Sequence, residues 1–209
     1  MIVVGMILDI FAGTTFTKTK NSTAMNKVIS HLSCLLIISA FSITAFSQDI
    51  VLPSPDRTGG KPLMQALNER QTTRSFTEDE LTPRQLSELL WAAWGINRED
   101  IGKRTAPSAM NYQEIQVYVA LPAGLYLYDA QVHSLKMIHN TDIRRSCGTQ
   151  SFVYDAPVNL IYVADMSKTG RNEGTAIKDA DLFMPYSDAA FIAQNVYLYC
   201  ASEGLGCVV

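Results

Sequence analysis

The 209 residues hold only three histidines and four cysteines. No CxxC pair, GxxxxGK[ST] loop or GxGxxG turn occurs in the chain. Those absences remove zinc ribbons, P-loop NTPases and Rossmann dinucleotide sites. With no GxSxG elbow to accompany them, His133 and His139 give little support to a hydrolase triad, and the sequence names no catalytic side chain. Lys and Arg, at 17, do not outnumber Asp and Glu, at 20, so nothing marks a nucleic-acid binder. No His, Cys, Asp and Glu cluster has metal-ligand spacing. Long apolar runs are equally scarce, and the one present lies near the N-terminus.

That run is "VISHLSCLLIISAFSITAF", Val28 to Phe46, preceded by Lys27 and followed by small residues at Ala45 and Ser47. It has the plan of a secretory signal peptide cleaved between Ser47 and Gln48, which predicts an exported, periplasmic protein with no stable membrane insertion after cleavage. Its natural start is Met25, which makes residues 1–24 an over-extended start and 25–47 the signal peptide. The alternative is an uncleaved anchor, since the run approaches spanning length. Cys147, Cys200 and Cys207 then remain, an odd number without CxxC spacing that argues neither for zinc nor for a disulfide framework, although an exported protein could form one bridge.

Residues 48–61 are rich in Pro and Gly and form an extended lead-in, and residues 62–209 form one domain. "KPLMQALNER" predicts a first helix. In "LTPRQLSELLWAAWGINR", Thr82 with Gln85 makes a capping box, Pro83 suits the first helical turn, and Leu86, Leu89, Leu90 and Ala93 share a face. Period-two alternation in "EIQVYVAL" predicts a strand, "GLYLYD" and "HSLKMIHN" a hairpin at a sheet edge, and "APVNLIYVAD" a strand covered on both faces. "YSDAAFIAQNVYLYCASEGLG" predicts a long helix capped near Ser187 or Asp188 and closed by Gly204, and "GCVV" begins a strand. The class is α+β.

Two stretches gather polar groups. "ERQTTRSF" sets Arg70 and Arg74 among hydroxyls, a donor set for one phosphate or carboxylate; the same residues also suit a solvated helix end, with Arg74 paired to Glu78 or Asp79. "RTAPSAMNYQ" offers Pro107, Ser108, Asn111 and Gln113, either as a polar pocket or as an ordinary turn.

Taken in order, "ERQTTRSF", the second helix, "RTAPSAMNYQEIQVYVAL", "GLYLYD", "APVNLIYVAD" and "SDAAFIAQNVYLYCASEGLG" resemble the FMN-dependent nitroreductase superfamily. "GLYLYD" and "LLWAAWGIN" look most like the branch with SagB/ThcOx-type dehydrogenases. The resemblance implies a mixed central sheet with flanking helices around a long buried core helix, and a homodimer with FMN at the interface. It also implies hydride transfer through flavin N5 to or from a small-molecule or peptide-derived substrate. By position, Arg70 and Thr72 would hold the phosphate and ribityl chain, Gln71 would lie by the ring and Arg74 near its N1/O2 edge. Pro107, Ser108 and Asn111 would reach the flavin from the other subunit with Gln113 close behind, while Cys207 and Val208 would lie near the reactive edge. The family continues beyond "GLGCVV" with the rest of that strand and a basic part of the phosphate clamp, so the chain as it stands is expected to bind FMN weakly. Other readings of the same fold are an exported binding module without flavin chemistry and a fragment without function.

Overall fold

The computed structural model describes residues 2–5, 48–77, 79–171 and 174–209, and of 2–5 the backbone alone. The signal-peptide segment, residues 25–47, lies outside the described residues.

A sheet of mixed direction organises the chain. Its strands are β1 (Ile2–Gly5), β2 (Ile50–Val51), β5 (Ile115–Leu121), β6 (Gly124–Asp129), β7 (Ser134–His139), β8 (Val158–Ala164) and β9 (Cys207–Val208). They lie in the order β2-β7-β6-β5-β8-β1-β9. A separate two-stranded ribbon, β3 (Ile96–Arg98) with β4 (Lys103–Arg104), occupies part of what the sequence presents as plain loop. β5, β6, β7 and β8 pair antiparallel, whereas β1 runs parallel to both β8 and β9. The β6–β7 hairpin expected from the alternation is present, but β2 from the lead-in covers its outer side and takes the edge.

Ile2–Gly5 is the element that departs most from the sequence reading, which leaves residues 1–47 out of the fold. "IVVG" is β-branched and apolar, which suits a parallel strand between two neighbours, and it fills the position between β8 and β9.

Among the described residues four α-helices accompany the sheet: α1 (Leu63–Glu69), α2 (Pro83–Trp94), α3 (Phe152–Asp155) and α4 (Asp179–Glu203). In α2 the Thr82 hydroxyl accepts from the Gln85 amide at 3.2 Å, and Gln85 Oε1 accepts from the Thr82 amide at 2.9 Å, which is the expected capping box. Leu89, Leu90 and Ala93 of α2 are wholly buried against the sheet and α4. β8 is buried along nearly its whole length, as its continuous apolar run requires.

α4 begins at Asp179, two turns before the expected cap at Ser187 or Asp188. Asp181 Oδ2 accepts from the Lys178 amide at 2.8 Å and caps the true start. Pro185 suggests a boundary in the sequence, yet it sits inside the helix, where it gives no hydrogen bond to the Asp181 carbonyl and crowds it while the helix continues on both sides. Asp188 is a buried residue within the helix, not its cap. Ala189, Ile192, Ala193, Val196 and Cys200 form the buried face, while Phe183, Met184 and Phe191 remain exposed, so one chain covers only one side of this helix. α1 is similar: Ala66 is buried, but Leu63, Met64 and Leu67 face solvent.

Candidate functional site

The stretch that follows α1 runs beside the C-terminal end of α4. Arg70 caps α1 with its backbone, its amide donating to the Ala66 carbonyl at 2.9 Å. The Arg70 guanidinium lies over the Tyr197 ring, 5.2 Å from its centroid, where the π face attracts a cation. The Tyr197 hydroxyl meets the Thr72 hydroxyl at 3.2 Å and accepts from the Val209 amide at 3.1 Å. One residue on, the Thr73 amide donates to the Cys207 carbonyl at 2.8 Å, which ties this stretch to the end of the chain.

These contacts edge a groove of about 660 Å³ lined by Arg70, Gln71 and Thr73 on one wall and Tyr197, Gly204 and Cys207 on the other. Gly204 closes α4 in the left-handed region at φ 70°, a conformation that costs glycine little, and so turns the chain into this wall. Among the described residues no carboxylate pairs with Arg70, whereas the neighbouring Lys61 is tied to Glu69 at 2.6 Å. A free guanidinium, hydroxyl donors and a groove of this size suit a phosphate-bearing ligand such as FMN.

The second stretch stands elsewhere. Ala109–Asn111 form a single turn, and Met110, Asn111 and Gln113 all adopt positive φ, at 51°, 58° and 49°. Three such residues in one loop hold backbone strain that the surroundings must offset. The Ala109 amide donates to Asp188 Oδ2 at 2.8 Å, and the Gln113 amide donates to the Ser108 hydroxyl at 2.8 Å. Gln113 is occupied internally: its Oε1 accepts from Arg104 at 2.8 Å and its Nε2 donates to the Gly102 carbonyl at 3.0 Å. Pro107, Met110 and Asn111 are left exposed at the tip.

The structure therefore brings Arg70, Gln71 and Cys207 to one groove, with Thr72 joined to it through Tyr197. Arg74 is exposed nearby and forms no ion pair with Asp79, and its other expected partner, Glu78, lies outside the described residues. Val208 is buried in a small apolar cluster with Ala120, Cys147 and Val153. Pro107, Ser108, Asn111 and Gln113 do not join this groove within one chain. Asp188, which anchors their loop, and Cys200, which lines the groove, are twelve residues apart on α4, about 18 Å at 1.5 Å per residue.

Tyr197 and Glu114 are residues that sequence reasoning passed over, and Asp188, expected as a helix cap, instead anchors the Ala109 amide. Tyr197 stands in an apolar helix with nothing local to distinguish it from core. Glu114 did carry a signal, since it is an acid placed directly before a buried strand, and it is 0% exposed.

The sheet, the long helix and this groove together are of the nitroreductase class. Residues 67–209 match the model of the Nitroreductase family, and the chain belongs to that family. It is 31% identical over 156 residues to a protein of Methanocaldococcus jannaschii assigned to the nitroreductases, covering 70% of this chain and 76% of that one. Among solved structures it is similar to a nitroreductase-type protein of Ralstonia eutropha at 46% identity, with a TM-score of 0.70 and coverage of 77% of this chain and 75% of the other. A second such protein, from Anabaena variabilis, shares the fold at 23% identity and a TM-score of 0.61, covering 76% of this chain and 35% of its own. Membership of the family supports an oxidoreductase.

Proposed function

We propose that this chain is an FMN-dependent oxidoreductase that works as a homodimer, with each flavin site built from two subunits. The observation that carries the reading is the separation of the two polar stretches along α4, one beside its middle at Asp188 and one beside its C-terminal end, combined with the exposed apolar residues of α1 and α4. A second copy packed against those residues would bring its Pro107–Gln113 loop toward the Arg70 groove of the first.

When bound, FMN supplies the hydride transfer, at its N5. The chain's own residues bind and orient it. Arg70 and Thr72 would hold phosphate and ribityl oxygens, Gln71 would lie beside the ring, and Arg74 would place a fixed positive charge at the N1/O2 edge. Cys207 and Val208 would support the ring's reactive edge through their backbone. Pro107, Ser108 and Asn111 would close the site from the other subunit, with Gln113 holding that loop. The substrate is a small molecule or a peptide-derived group. We place the enzyme near the SagB/ThcOx-type branch on "GLYLYD" and "LLWAAWGIN", which are β6 and the end of α2.

The segment before Gln48 supports export to the periplasm, and cleavage there would take β1 out of its place between β8 and β9. NAD(P)H is a cytoplasmic reductant, so the hydride donor there is the substrate itself or another reductant. A mature mass that starts at Gln48 supports this; an isolated chain that retains Ile2–Gly5 overturns it.

The flavin reading is tested by absorbance and fluorescence of the purified chain titrated with FMN. Arg70→Ala is expected to weaken FMN about tenfold to a hundredfold, the worth of one charged hydrogen-bond set, and Arg74→Ala to weaken FMN or abolish turnover. Indifference of both variants to flavin would favour a flavin-independent binding module.

A further inference from the structure

Two carboxyl groups lie together beneath the strained loop, and neither belongs to the ligand groove. Glu114, at the base of β5, is 0% exposed, and Asp188, inside α4, is 2% exposed. Glu114 Oε2 accepts from the Ser108 hydroxyl at 3.3 Å, and the same hydroxyl accepts from the Gln113 amide. Asp188 Oδ2 accepts from the Ala109 amide. Glu114 Oε1 is buried and has no donor, a costly arrangement for an ionised oxygen.

No cation compensates the pair. Among the described residues, none of the ion pairs involves Glu114 or Asp188. The nearby charges are engaged elsewhere: Arg104 on Gln113 Oε1, Lys168 Nζ on the Gln113 carbonyl at 3.3 Å, and the Asp165 carboxylate on Ser167. Just past the end of β8, the Asp165 amide donates to the Glu114 carbonyl at 2.9 Å. Two adjacent buried carboxyls without a cation retain a proton between them. A proton on Glu114 Oε1, donated to Asp188, gives the one orphaned oxygen a partner.

We propose that Glu114 and Asp188 form a proton-sharing clamp that holds the Ser108–Gln113 loop in its strained conformation and so positions it for the second subunit's flavin. Both are positioning residues, acting through Ser108 and the Ala109 amide. The inference about the clamp stands on this chain alone; only its consequence for flavin rests on the function proposed above.

Burial, together with Asp188 alongside, raises the Glu114 carboxyl above its ordinary 4.5. A raised folded value means that the clamp's contribution is complete below about 4.5 and is lost as pH rises through that higher value.

The test is amide hydrogen exchange at Ala109 and Gln113, with thermal unfolding alongside, from about pH 5 to about pH 9 on the full chain. In the wild type, protection factors of both amides are expected to fall as pH rises through the raised Glu114 value. Glu114→Gln keeps a donor for Asp188 and an acceptor for Ser108, so it is expected to hold protection constant across the range. Glu114→Ala removes both and is expected to lose protection at every pH. A wild-type profile as flat as that of Glu114→Gln would overturn the clamp, as would full protection in Glu114→Ala. Should Glu114→Ala fail to fold, the comparison of wild type with Glu114→Gln decides. FMN titration of the same samples is read separately: intact, pH-dependent protection without flavin binding would refute the flavin reading and leave the clamp standing.

Discussion

Tyr162 on β8 is wholly buried, and its hydroxyl has no hydrogen-bond partner. Burial pushes its pKa well above the ordinary 10.0, with Cys207 and Cys200 nearby adding in the same direction. A buried hydroxyl without a partner costs roughly 1–3 kcal/mol, so Tyr162→Phe is expected to be neutral or to raise stability by about 1 kcal/mol in urea unfolding. A loss beyond about 1 kcal/mol would show that the hydroxyl has a partner after all. His133 is the counter-case of a satisfied buried group. The Ser87 hydroxyl donates to the Pro53 carbonyl at 2.6 Å and so accepts from His133 Nε2 at 2.7 Å, while Nδ1 takes the Tyr128 hydroxyl at 2.9 Å. Both ring nitrogens serve the fold, and burial lowers the His133 pKa.

Elements with a strong local signal came through the sequence with their ends nearly intact. α2 starts at Pro83 after Thr82 and stops before Gly95 because capping and proline chemistry act over three or four residues. Thr82→Ala is expected to cost about 1 kcal/mol in urea unfolding without altering the groove, and an unchanged urea midpoint would show that the cap adds nothing beyond burial of Leu89 and Leu90. β5, β6, β7 and β8 were legible for the same reason, as side chains alternate with period two and the covered strand does not alternate. The start of α4 was not legible. Pro185 interrupts the helical pattern locally, and the first two turns carry Phe183 and Met184 exposed, so no buried face announces them. The β3–β4 ribbon is two and three residues long, too short for periodicity to register.

At the scale of the whole molecule, α1 and α4 together leave Leu63, Met64, Leu67, Phe183, Met184 and Phe191 in solvent, an arrangement that suits burial by a second copy. Phe191 is 49% exposed, and Phe191→Asp is expected to leave the circular dichroism spectrum unchanged while weakening the proposed dimer about thirtyfold or more, the effect of one hot-spot side chain of about 2 kcal/mol. Sedimentation at several concentrations measures this, and an unaltered association constant would move the interface elsewhere. The amino-acid sequence by itself determined the α+β class, the strands β5 to β8, α2 and the family resemblance, because periodicity, caps and turn residues are local properties. Only the tertiary structure decided which polar residues meet. Arg70 finds Tyr197 across 127 residues of sequence, Glu114 finds Asp188 beneath a strained loop, and Ile2–Gly5 enters the sheet between β8 and β9. Such contacts depend on how helices and strands pack, and neither residue of such a pair carries a local mark of the other.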